Sequence, residues 1–175
     1  MEVNLKQAIS MFFSQSSFDM VYLEAVANAL DAGASNIQIH FSASTLSNEK
    51  SFNLVISDNG IGFTDERYKK FCRLLDVDKE DKAHRGLGRL VYLFYFDKVK
   101  VSSHYNGNQY REFNFDNDFG AQKADNSSTL EDNHDSGSIL EMTGYNLKKL
   151  KTADFANAEW IRRRILKKFY SLLYK

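Results

Sequence analysis

At 175 residues and 43% hydrophobic, with 14 Phe and 9 Tyr, the chain can bury one ordinary core and is sized for a single domain over 1–175. Its 23 Lys+Arg balance 23 Asp+Glu, so no global field recruits nucleic acid or an anionic membrane. A single cysteine, Cys72, excludes an internal disulfide and a cysteine-rich metal site. No apolar run reaches signal-core or membrane-spanning length, so a soluble cytoplasmic protein with no membrane partner is the expectation.

In chain order, Asn4 to Phe13 reads as a short amphipathic helix. Ser16-Ser17 can cap a longer one through FDMVYLEAVANALDAGA, with Gly33 at its C-terminal stop. NIQIHFSA alternates Ile37, Ile39 and Phe41 with polar neighbours, a strand period. A polar loop leads to the strand FNLVIS and an Asp-Asn-Gly turn. TDERYKKFCRLL follows as a helix with Thr64 at its N-cap, then the charged stretch DVDKEDKAHR. GLGRLVYLFYF reads as a helix opened by glycines. KVKVSSHY and YREFNFD pair as a hairpin through Asn106-Gly107. GAQKADNSSTLEDNHDSG is expected to be loop, SILEMTGY a strand, and the C-terminal helix to run over about 157–174. This order suggests a two-layer α+β sandwich.

Three stretches carry polar groups where chemistry could sit. Glu24, Asn28 and Asp31 recur at helical spacing and share one stripe of their helix. A plain solvated face explains that stripe; so does an Asn28 amide completing the shell of a Mg²⁺, with Glu24 taking a proton from water and Asp31 orienting neighbours. At the mouth of the next strand, Asp58 can accept a hydrogen bond from an exocyclic amine such as that of adenine, while Gly60 and Gly62 leave room for a base. An aspartate capping its own turn explains the same residues. In HRGLGRL, glycines at a helix start offer free N–H groups to a phosphate, with His84, Arg85 and Arg89 nearby; a simple turn does nearly as well.

Together, Glu-x₃-Asn-Ala-x-Asp-Ala, a strand, Asp-x-Gly-x-Gly, a helix, a charged stretch and Gly-x-Gly before another helix resemble the GHKL ATPase family. That family spans gyrase, the ninety-kilodalton heat-shock chaperone, MutL-type repair proteins, MORC proteins and sensor histidine kinases. EAVANALDAGASNIQIHF looks closest to the chaperone-like, MutL and MORC branch. The resemblance implies a Bergerat sandwich: a mixed, mostly antiparallel sheet, helices on one face, and a mobile ATP lid over about 63–85. It implies ATP and Mg²⁺ as ligands, Glu24 as general base and Asn28 as the metal ligand. Asp58 would read the adenine with Gly60 and Gly62. Asp31 and the stretch Gly86, Leu87, Gly88 and Arg89 would complete the nucleotide site. Ser138, in Gly137-Ser138, stands where relatives carry a threonine supporting that aspartate; Thr143 is an alternative.

Two departures matter. Ala83 stands where a longer glycine pattern would begin, and nothing matches the Lys or Arg that a following domain commonly brings to the terminal phosphate. The expected function is therefore slow ATP hydrolysis, with lid closure coupled to an ATP-dependent homodimer or to docking of further domains. A nucleotide-binding regulatory module without hydrolysis and a histidine-kinase-type phosphotransfer domain are the alternatives. The Asp-Ala-Gly-Ala tail after Asn28 speaks against the latter. Arg162, Arg163, Arg164, Lys167 and Lys168 on the final helix are either a wetted face or a surface for nucleic acid or a following domain.

Overall fold

The computed structural model describes residues 5–42, 51–72, 87–117, 119, 126–146 and 157–173. Five helices, α1 (Leu5–Phe13), α2 (Asp19–Asp31), α3 (Asp65–Cys72), α4 (Leu90–Tyr95) and α5 (Ala158–Leu173), accompany six strands. The strands are β1 (Ile37–Ser42), β2 (Asn53–Asp58), β3 (Phe96–Tyr105), β4 (Gln109–Asp116), β5 (Asn126–Thr129) and β6 (Gly137–Tyr145). They form one sheet in the order β1-β2-β6-β3-β4-β5. The expectation of a mixed sheet is sharpened, because every pairing among the described strands is antiparallel. Most of the expected lid, with Gly86, lies outside the described residues.

The late strand β6 inserts between β2 and β3, which sets Ser138 opposite both Asp58 and Ser103. Period-2 alternation then sorts the faces. Leu54 and Ile56 of β2, Val99 and Val101 of β3, Phe113 and Phe115 of β4 and Met142 of β6 are all buried. Their neighbours Lys98, Asn114, Glu141 and Thr143 are exposed on the other face. The helices cover the apolar face, as the two-layer reading requires. At one end, Phe18 sits in a ring of aromatic edges, with centroids 5.0 Å from Tyr95, 5.5 Å from Tyr22 and 5.7 Å from Tyr145. At the other, Phe71 of α3 meets Phe113 at 5.3 Å and Phe115 at 5.1 Å. Such pairs add about 0.5–1.5 kcal/mol each beyond the area they bury.

Three elements differ from expectation. The N-cap of α2 is Phe18, with no side-chain cap bond. The two serines face elsewhere: Ser16 Oγ donates to the Phe13 carbonyl at 2.7 Å, closing α1, and Ser17 Oγ bonds the Asp19 carboxylate. The stretch expected to be loop contains β5, an exposed edge strand paired with β4. The glycine-opened helix is only six residues long, because Phe96 already turns extended and starts β3. Elsewhere expectation holds: Asn106 and Gly107 take positive φ in the β3–β4 turn, and Thr64 Oγ1 accepts from Arg67 N–H at the start of α3.

Candidate functional site

Helix α2 is the spine of the site. It ends in a tight double closure, with the Gly33 N–H reaching the Leu30 carbonyl and the Ala34 N–H reaching that of Ala29. Gly33 supplies the left-handed φ of +74° that this Schellman geometry requires. The closure carries the chain into β1 and brings Ala32 against the end of β2. There Asn59 acts as a clamp. Its Oδ1 accepts from the Ser35 and Asn36 N–H groups at 2.9 and 2.8 Å, and its Nδ2 donates to Ser35 Oγ at 3.0 Å.

Asp58, the last residue of β2, is thereby held beside the end of α2. Its Oδ1 accepts the Gly60 N–H at 2.8 Å, so it caps its own turn and faces the cavity at once. Burial pushes its carboxyl above the ordinary range, while the Gly60 N–H and the Arg67 guanidinium pull it back. The two glycines serve packing. A Cβ at Gly60 would lie 2.7 Å from the Ala32 Cβ, and one at Gly62, where φ is +75°, would fall on the His104 carbonyl. Ser138, buried at 5% exposure, faces Asp58 across the β2–β6 ladder and lines the cavity. Thr143 is exposed on the opposite face, which removes the alternative.

About one and two turns back along α2, Asn28 and Glu24 line the same cavity. Asn28 Nδ2 donates to Glu24 Oε1 at 3.3 Å and to the Tyr92 hydroxyl at 3.4 Å. Both contacts use the amide nitrogen, which leaves Oδ1 as the atom for a metal. Among the described residues no group of three His, Cys, Asp or Glu could hold an ion alone. A Mg²⁺ here therefore fits only as an ion bringing phosphate and water ligands with it. Burial pushes the Glu24 carboxyl up, the Asn28 amide and the Arg89 charge draw it down, and Asp31 nudges it up again. Asp31 itself is exposed; its carbonyl accepts from Arg67 Nη1 at 3.3 Å.

Leu87, Gly88 and Arg89 form a turn ahead of α4. A Cβ at Gly88 would land on the Glu24 carboxylate, so this glycine lets the acid and the turn touch. The expected free N–H groups at the helix start are not those of residues 90–92. Leu90, Val91 and Tyr92 donate to the carbonyls of Leu87, Gly88 and Arg89 at 2.9, 3.0 and 3.1 Å. With six residues, α4 also carries little macrodipole, so positive charge here comes mainly from Arg89. His84 and Arg85 lie outside the described residues.

Glu24, Asn28, Asp31, Asp58, Gly88, Arg89 and Ser138 all line one cavity of about 1070 Å³, floored by Ile56, Val99, Val101 and Leu140 of the sheet. Such a volume suits a ligand of nucleotide size. From Glu24 to Ala32 is eight residues of helix and turn, roughly 12 Å at helical rise, so Glu24 and Asp58 address separate ends. Two residues the sequence reading passed over belong here: Asn59, and Arg67, which reaches from α3 to the Asp31 and Asn28 carbonyls. Both act through contacts to chain distant in sequence, which no local pattern signals.

The fold is shared. The chain belongs to the histidine kinase-, DNA gyrase B- and HSP90-like ATPases, whose family model matches residues 16–144. The crystal structure of the N-terminal domain of a DNA repair protein superimposes with a TM-score of 0.57 at 16% identity. The match covers 97% of this chain but 44% of that one, so this chain spans less than half of the solved relative. No curated protein matches. No helix among the described residues is long and apolar enough to cross a membrane.

Proposed function

We propose that the chain binds ATP in this cavity and hydrolyses it slowly. The observation that carries the reading is the placement of Asp58 and the Glu24–Asn28 pair at two ends of one cavity. The Asp58 carboxylate accepts the adenine amine while keeping its bond to Gly60, and Ser138 supports it from the neighbouring strand. Asn28 Oδ1 would hold a Mg²⁺ bound to the phosphates, whose charge offsets theirs. Glu24 takes a proton from a water as the water oxygen attacks the terminal phosphorus. The bond from that phosphorus to the bridging oxygen breaks, and its electron pair leaves with ADP. A carboxyl raised by burial is a stronger base than a free one, and Asn28 fixes its orientation. Closure of the lid over the nucleotide then couples to homodimerisation or to docking of further domains.

Calorimetric titration with Mg-ATP should give a saturable heat that Asp58→Asn abolishes, because an amide cannot replace the acceptor pair of the carboxylate. Glu24→Ala should bind ATP yet release phosphate roughly 10²–10⁴-fold more slowly. The wild-type rate should fall as pH drops through the raised Glu24 value, since the protonated acid cannot accept the water's proton. Equal phosphate release by wild type and Glu24→Ala would instead remove Glu24 as the base, and release from both no faster than without protein would support a regulatory module without hydrolysis.

A further inference from the structure

Resemblance provides no cation for the terminal phosphate from within this chain; the cavity wall does. Arg89 follows Gly88 and is only 7% exposed, yet its Nε and Nη2 have no hydrogen-bond partner among the described residues. Leaving guanidinium N–H groups buried and unpaired is costly, so such a group calls for an explanation. Arg111 shows what a structural arginine looks like in the same molecule. It is 3% exposed, and it donates from Nη1 to the Phe63 carbonyl and from Nη2 to Asp65, each at 2.6 Å. Arg89 has instead the Phe71 ring, 4.5 Å from Cζ, and the charge of Glu24. It lines the cavity beside Glu24, Gly88 and Asn28, whereas the other cavity arginine, Arg67, acts on Asp58. Arg67 moreover already has partners, donating to the Asp31 and Asn28 carbonyls at 3.3 and 3.4 Å.

We infer that Arg89 is the cation that receives the terminal phosphate of the bound nucleotide, supplied from within this domain. The inference rests on the ATP reading above and assigns its polyphosphate end. Arg89 offsets Glu24 without bonding it through Nε or Nη2. With a triphosphate present, those two donors form a fork toward two phosphate oxygens, the geometry in which a guanidinium surpasses an ammonium. Phe71, 4.5 Å from Cζ, supports the guanidinium from one side, and a turn of the side chain brings its buried Nε and Nη2 to the phosphate. Binding of the terminal phosphate then needs no residue from a following domain.

The test is titration of the full chain with Mg-ATP and with Mg-ADP, for wild type, Arg89→Met and Arg89→Lys. Arg89→Met should weaken ATP roughly 10- to 100-fold and ADP less than about 3-fold, because the group lost meets only the third phosphate. Arg89→Lys should recover part of the ATP affinity, having the charge without the fork. Equal weakening of both nucleotides, or none, overturns the inference and leaves the ATP reading standing. If Arg89→Met does not fold by circular dichroism, Arg89→Lys decides alone: a deficit confined to ATP supports the assignment, and unchanged ATP affinity overturns it. No heat from wild type with either nucleotide overturns the ATP reading first, and this inference with it.

Discussion

A methyl group added at residue 62 has nowhere to go. Gly62 holds φ at +75°, and its missing Cβ is the space taken by the His104 carbonyl and Ser103 Oγ, which itself accepts the Phe63 N–H at 2.8 Å. Gly33 has the same left-handed backbone, at +74°, but nothing among the described residues lies within 4 Å of where its Cβ would be. The pair separates backbone strain from collision. Gly33→Ala should cost about 1 kcal/mol of stability and Gly62→Ala about 2–4 kcal/mol, read as the difference in urea midpoint at constant slope. Equal losses would mean that the contact with β3 relaxes freely. Residue types at these positions were legible because glycine has a specific backbone meaning; the collision partner was not, since His104 belongs to a strand far along the chain. The same holds for Asn59, whose pattern reads as a turn and whose three bonds reach back to residues 35 and 36.

Among the elements, α5 shows how a charged run can be put to use. Arg163 Nε meets Glu159 at 3.0 Å, and Arg164 pairs with Asp19, which is 2% exposed at the start of α2. With Arg162 also 3.7 Å from Glu159, three of the five basic residues offered to a nucleic acid are engaged in pairing, and the Arg164–Asp19 contact joins the last helix to the spine of the site. Removing one partner strands a buried carboxylate, which costs more than the pair contributes. Arg164→Ala should lower stability by about 1–3 kcal/mol, while Arg164→Ala combined with Asp19→Asn should recover much of that loss. Additive losses in the double variant, measured by denaturant unfolding, would show the two residues to be uncoupled. Strand periodicity and glycine stops made the long elements legible in sequence. The misplaced ones had physical reasons: Asn126–Thr129 is polar on both faces because an edge strand buries neither, and LVYLFYF is apolar throughout, so no period marks where α4 gives way to β3.

For the molecule as a whole, the cavity has two walls of unequal firmness. Every residue of α4 is buried, whereas α3 has none that is. Opening free energies should follow that contrast, with amides of α4 exchanging with solvent near the global unfolding limit and those of α3 many-fold faster. Saturating Mg-ATP should slow exchange in α3 selectively, because Phe71 and Arg67 gain a filled cavity to close on. Uniform slowing across both helices would argue that the ligand stabilises only the whole fold. The sandwich itself was readable from element order, but not which wall is loose, since burial depends on contacts that no single segment contains.

The closure of α2 at Gly33 has a last consequence. Because Asn59 and Gly60 are fastened to the tail of the very helix that bears Glu24, the span between the Asp58 and Glu24 carboxylates is a stretch of rigid rod. A loop of that reach would drift with temperature and ligand; this gauge keeps its length, and any motion of the outer wall happens against a fixed scale.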